Sequence, residues 1–187
     1  MALATVVIAT FGDDSWAQMA AGDAMTSCVD QGVDVILSHE GTLAEARNRG
    51  AARARTEWLI FLDADDELAP GYVSALMGAS GDLRAPAVSY VHESGAELPQ
   101  CLADRDIERM NPCVIGTAIR AQMFRDLGGF REWPAWEDWC LWLRAYRRGA
   151  EIVHVPSAVY LATVRPGSRN AAVTDPHRLH RAIRAAA

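Results

Sequence analysis

Residues 58–62, Trp-Leu-Ile-Phe-Leu, are five apolar residues in a row that run straight into Asp63, Asp65, Asp66 and Glu67. Five residues are too few for a helix, and an unbroken apolar run of this length describes a strand buried on both faces. Carboxylates crowded at one strand end repel each other unless positive charge gathers there. Oxygen ligands in that number suit a hard divalent cation such as Mg²⁺ or Mn²⁺. Such a cation takes one or two protein carboxylates and fills its other positions with phosphate oxygens and water. In open α/β sheets, ligands bind at the carboxyl ends of strands. The same letters also describe a solvated acidic turn ahead of a helix near Pro70, and the stretch alone leaves both readings open.

The flanking pattern alternates strands with helices. Residues 4–10 are rich in β-branched residues and form a buried strand. Asp14 or Ser15 then caps a helix reaching about residue 31. A second strand covers 33–38. Thr42 caps a helix over 43–55, with Glu45 completing a capping box. After the central strand a helix covers 72–77. This spacing indicates a parallel, doubly wound sheet. Beyond Gly78, strands are expected at 87–92 and 113–120, with a polar surface excursion over 93–111. A short helix over 121–127 ends in Gly128-Gly129, a C-cap signal. An amphipathic helix over 138–148, two strands at 152–155 and 158–164 about Pro156, and a terminal helix over 175–186 complete the chain.

Composition narrows the chemistry. The 18 basic residues are all Arg. Without Lys there is no P-loop lysine, Schiff base or lysine base, so phosphate must be held by Arg, metal or backbone N–H groups. A net charge of −6 argues against a large nucleic-acid surface. Cys28, Cys101, Cys113 and Cys140 have no C-x-x-C spacing and read as reduced thiols of a cytoplasmic protein. No apolar run is long enough to span a membrane and no signal peptide is visible.

Two further groupings matter. In Trp136-Glu137-Asp138-Trp139, the acids either favour a helix dipole among core rings or supply a base in a desolvated, aromatic-walled cleft. In the loop from Val164 to Asn170, Arg165, Ser168 and Arg169 either clamp a pyrophosphate or form a solvated turn.

Taken in order, Ala46-Arg47-Asn48-Arg49-Gly50, Asp63-Ala64-Asp65-Asp66, Leu127-Gly128-Gly129-Phe130, Trp136-Glu137-Asp138-Trp139 and Pro166-Gly167-Ser168 resemble the family-2 glycosyltransferases. The resemblance implies a GT-A fold: α/β, a mostly parallel Rossmann-like sheet with helices on both faces in a single compact domain. Its nucleotide-sugar half would be about 1–80, its acceptor half about 81–170 and its C-terminal helix about 175–187. It implies metal-dependent, inverting transfer of a sugar from a nucleotide diphosphate to a hydroxyl acceptor. Asp138 matches the general base, with Glu137 helping to position the acceptor. Thr10, Phe11, Glu40, Arg47, Asp63, Ala64, Arg165 and Ser168 fall on the nucleotide-sugar side. Asp65, with Asp63, matches the ligands of Mn²⁺ or Mg²⁺. Gly116, Thr117, Trp133 and Trp136 fall on the acceptor side.

The donor is expected to be a UDP- or GDP-sugar, with the acceptor unassigned and a homodimer left open. Two departures stand out. Ser38-His39-Glu40-Gly41-Thr42 replaces the usual Asp-Asp-Gly-Ser, and Tyr160, Thr163, Arg165 and Ser168 stand where Tyr-x-x-Arg-x-His-x-x-Ser is common. Arg165 is therefore assigned the diphosphate contact. The departures also admit a non-enzymatic alternative, an inactive GT-A-like module that binds a nucleotide sugar.

Overall fold

The computed structural model describes residues 2–165, 169 and 172–187. The expected buried strand is there: β3 (Trp58–Leu62) is buried at every position. It lies parallel to β1 (Ala4–Phe11), which in turn lies parallel to β2 (Asp34–Glu40). Two short helices, α1 (Asp14–Ala20) and α2 (Asp23–Ser27), link β1 to β2. One helix was expected there. Gly22, a poor helix former, separates the two, and its N–H closes α1 on the Met19 carbonyl at 2.9 Å.

Helix α3 (Leu43–Arg53) starts on Thr42 with the expected capping box to Glu45. It packs against β1 and β2. The approach is close enough that a Cβ at Gly50 would stand 2.4 Å from Val7 Cγ1, so only glycine fits there.

The second half turns a parallel sheet into a mixed one. After β4 (Glu67–Leu68) and α4 (Tyr72–Gly78) come β5 (Leu83–His92), β6 (Gly95–Ala96) and β7 (Ala118–Arg120). Helices α5 (Ala121–Asp126) and α6 (Glu137–Arg147), strand β8 (Ile152–Thr163) and α7 (Pro176–Ala186) follow. The strand order is β2-β1-β3-β7-β5-β8-β4, with β6 paired to β5. Strand β7 runs antiparallel to both β3 and β5, β8 runs parallel to β5, and β4 runs antiparallel to β8. The parallel wind expected from the sequence therefore holds across β2-β1-β3 and recurs at β5–β8.

Two strand expectations change. Residues 113–117 form a turn, with Thr117 N–H on the Val114 carbonyl at 3.0 Å, leaving only Ala118–Arg120 as strand. The two strands foreseen about Pro156 are one. Its pairing jumps from Pro86↔Val155 to Ala87↔Val159, so Pro156, which has no N–H for the ladder, is absorbed in a bulge.

Candidate active site

Because β3 is buried throughout, the first place its chain can carry charge is its carboxyl end. There Asp63, Asp65 and Asp66 line a cleft of about 630 Å³ that also receives the ends of β1, β5 and β8 and the start of α6. Asp66 is the anchor of this turn. Its Oδ2 accepts the Tyr160 hydroxyl at 2.8 Å and its Oδ1 the Thr163 N–H at 2.8 Å. The Tyr160 oxygen in turn accepts the Asp63 N–H at 3.2 Å. Strand β8 thus clamps the acidic turn through one buried tyrosine. Burial, then the neighbouring charges of Asp63 and Asp65, push the Asp66 carboxyl well above the usual range.

Arg47 links the two halves of the cleft. It projects from α3, is almost fully buried, and lies 5.1 Å from the Phe130 ring centroid. Its Nη2 donates to Asp63 Oδ1 at 2.6 Å and its Nη1 to Glu137 Oε1 at 2.5 Å. Beside it, Asn48 bonds both the N–H and the C=O of Phe130, at 2.8 and 2.9 Å. Helix α3 therefore holds the Gly-Gly-Phe segment and the first turn of α6 in fixed relation to the end of β3. Arg169 adds a second cation on Glu137, at 2.9 and 3.2 Å, and donates to the Trp133 carbonyl at 2.8 Å. Burial alone would raise the Glu137 carboxyl, but the charges of Arg47 and Arg169 outweigh it and hold the group below its ordinary value.

The chain enters α6 through Trp136 in the left-handed conformation, φ 58° and ψ 31°. That turn puts Glu137 and Asp138 in the first helical turn, where the helix dipole favours acids. Asp138 differs from Glu137 in having no cation bonded to it among the described residues. Its Oδ2 accepts Asn111 Nδ2 at 2.8 Å. Desolvation, then the adjacent Glu137 charge, push its carboxyl up to about 6. A carboxylate that titrates near neutral pH and faces a cleft has the properties of a general base.

Among the sequence candidates, Thr10, Phe11, Arg47, Asp63, Ala64, Asp65, Trp136, Glu137, Asp138 and Arg165 all line this one cleft. Thr10 Oγ1 is hydrogen-bonded to His39 Nδ1 at 2.9 Å. Glu40 lies outside the lining and is paired with Arg49 at 2.9 Å. Gly116 is part of the wall behind the cleft: a Cβ there would meet Tyr160 Cδ2 at 2.3 Å and the Tyr72 hydroxyl at 2.4 Å. Thr117 is fully buried, Trp133 is partly buried against the core, and neither lines the cleft. Arg169, left open by the sequence between a pyrophosphate clamp and a solvated turn, is engaged with Glu137. Ser168 lies outside the described residues. Asn111 is not legible as a site residue in the sequence because it sits in a polar stretch without periodicity; its Asn-Pro dipeptide, a turn signal, is the one clue there.

A divalent cation can be tested against these donors. Among the described residues no group of three or more His, Cys, Asp or Glu side chains is arranged around one point. Asp65 Oδ2 stands 3.0 Å from Arg165 Nε. Burial, then the charge of Asp63, raise the Asp65 carboxyl, a repulsion that a cation would relieve. The donor set fits Mg²⁺ or Mn²⁺ held by one or two carboxylates and completed by phosphate oxygens, and does not fit a cage made by protein alone.

The family model described as Glycosyl transferase family 2 matches residues 13–127. Residues 1–349 of S. aureus TarS, solved in complex with UDP-GlcNAc, share the fold with a TM-score of 0.65 at 16% identity, covering 94% of this chain and 62% of that one. GalNAc-T7 solved with UDP, GalNAc and Mn²⁺ is similar with a TM-score of 0.60 at 15% identity, covering 88% of this chain and 43% of that one. The chain thus spans less than two thirds of the length of these structures. No curated protein sequence matches it. The family match stops before α6, so the roles of Glu137 and Asp138 rest on the geometry of the cleft.

Proposed function

Since the chain belongs to glycosyl transferase family 2, we propose that it moves a sugar from a nucleotide diphosphate donor to a hydroxyl acceptor, with Asp138 as general base. One observation carries this reading: Asp65 and Asp138, 73 positions apart in the sequence, face the same cleft. The fold neighbours solved with UDP-GlcNAc and with UDP support a UDP-sugar as the donor class.

The division of labour follows from the charges. Thr10 and Phe11, at the end of β1, border the nucleoside side. Arg165, half-exposed beside Asp65, supplies the cation nearest to where a diphosphate would lie. A divalent cation bound at Asp65, with Asp63, would neutralise charge developing on the leaving diphosphate. Asp63 and Glu137 are tied up in ion pairs with Arg47, and Glu137 with Arg169 as well, so their oxygens are poorer proton acceptors than those of Asp138. Asp138 remains. Its oxygen not bonded to Asn111 takes the proton of the acceptor hydroxyl as that hydroxyl oxygen attacks the anomeric carbon. A single displacement inverts the configuration and requires no protein nucleophile. Trp136, at the mouth of α6, offers an aromatic face on the acceptor side.

Calorimetry with UDP and GDP, with Mn²⁺ or Mg²⁺ and with EDTA, tests the donor half. Binding that needs metal is expected. Equal affinity in EDTA would remove Asp65 from the metal role.

A further inference from the structure

The segment joining β6 to β7 is fastened to α6 at the point where α6 carries Asp138. Trp139 Nε1, one residue beyond the carboxylate, donates to the Ile107 carbonyl at 2.9 Å, and Ile107 and Leu102 are buried. Arg105 Nη1 donates to the Asn111 carbonyl at 3.2 Å. The Asn111 side chain then makes two opposed contacts. Its Oδ1 accepts the Cys113 N–H at 3.1 Å, while its Nδ2 donates to Asp138 Oδ2 at 2.8 Å. An amide whose oxygen is committed to a backbone N–H can only turn its NH₂ the other way. The donor facing Asp138 is thus oriented by the chain itself.

We infer that Asn111 is the positioning residue for Asp138: it occupies one carboxylate oxygen, leaves the other for the acceptor hydroxyl and keeps the group ionised. The inference rests on the reading of Asp138 as the base. Its physical content is that a hydrogen bond donated to a carboxylate favours the charged form. The other groups facing Asp138 are Glu137 beside it on α6, which opposes ionisation, and the Trp139 N–H on α6 and Arg47 from α3, which both favour it. The Cys113 thiol is also near; burial raises it and keeps it neutral. Arg47 is already committed to two other carboxylates, so Asn111 is the one side chain hydrogen-bonded to Asp138 among the described residues.

The test compares the wild-type chain with Asn111→Ala and Asn111→Asp. The first variant removes the donor without adding charge; the second keeps an oxygen for the Cys113 N–H but also sets a like charge beside Asp138, so its midpoint should climb further. Two readouts are taken. The Asp138 carboxylate is titrated by carbon NMR on aspartate-labelled protein, its signal assigned with Asp138→Asn. The pH dependence of UDP release from UDP-GlcNAc, with Mn²⁺ present and water as acceptor, is followed in parallel. In both variants the carboxylate midpoint should climb by about one pH unit or more. The acidic limb of kcat should move with it, costing about tenfold in rate on the acidic side, while KM for the donor holds. A midpoint that stays at the wild-type value overturns the inference. A midpoint that climbs while the rate limb stays still also overturns it, and locates the fault in the assignment of Asp138 as base.

Discussion

Replacing Arg47 by Met isolates the contact that joins the two ends of the cleft. Methionine keeps the buried stem and removes the guanidinium, leaving Asp63 and Glu137 without their shared cation. Removing one partner of a buried ion pair costs about 3–5 kcal/mol, because the orphaned charge stays buried. Asp63 retains 37% side-chain exposure, and Glu137, at 7%, keeps Arg169. Both facts place the cost near the lower figure, about 3 kcal/mol. For a chain of this length that is a fall in Tm of about 6–12 °C at pH 7. The pH dependence carries a second signature. Glu137 is held below its ordinary value in the fold, so it contributes stability above its unfolded pKa, and that contribution fades as pH falls through its folded pKa. The variant has already lost the share that Arg47 supplies, so the gap between the two proteins should narrow between pH 5 and about pH 3. Adding Glu137→Gln to the variant should recover part of the loss. Thermal unfolding followed by circular dichroism at several pH values reads all three. A Tm within about 2 °C of wild type at pH 7, or a gap that widens on acidification, would refute the reasoning.

Other outcomes follow from the same geometry. Asp138→Asn should retain nucleotide binding by calorimetry and lose transfer by about 10²-fold or more; unaltered transfer would dismiss Asp138 as the base. Because Asp138 must be ionised to accept a proton and its carboxyl is pushed up to about 6, kcat should rise with pH through about 6 and level above it. A limb near 4 would show that desolvation does not reach this group. Gly116→Ala drives a Cβ into Tyr160 and Tyr72, an overpacking cost of about 1–3 kcal/mol. Since Tyr160 clamps Asp63 and Asp66, weaker donor binding should accompany the lower Tm; a variant with wild-type affinity would separate that clamp from the site.

What the sequence determined was local or periodic. An apolar run ending in Asp63, Asp65 and Asp66 could only be a buried strand with its charge at one end. Thr42 and Glu45 marked the start of α3 within one turn, and the acids after Trp136 marked the start of α6. The order of these pieces was enough to indicate the family and the fold. What tertiary structure decided was every contact between them. Arg47 reaches Glu137 across 90 positions and Asp66 reaches Tyr160 across 94, separations that leave no trace in a local pattern. Gly116 was placed on the acceptor side by the family resemblance alone, and only packing revealed Tyr72 and Tyr160 against it. Asn111 lay in a stretch with no period, since a loop held by Trp139 and Arg105 needs none. The turn over residues 113–117, the bulge at Pro156 and the reversal at β7 were likewise chosen by pairing partners. Strand direction is a property of two segments brought together, and neither segment carries it alone.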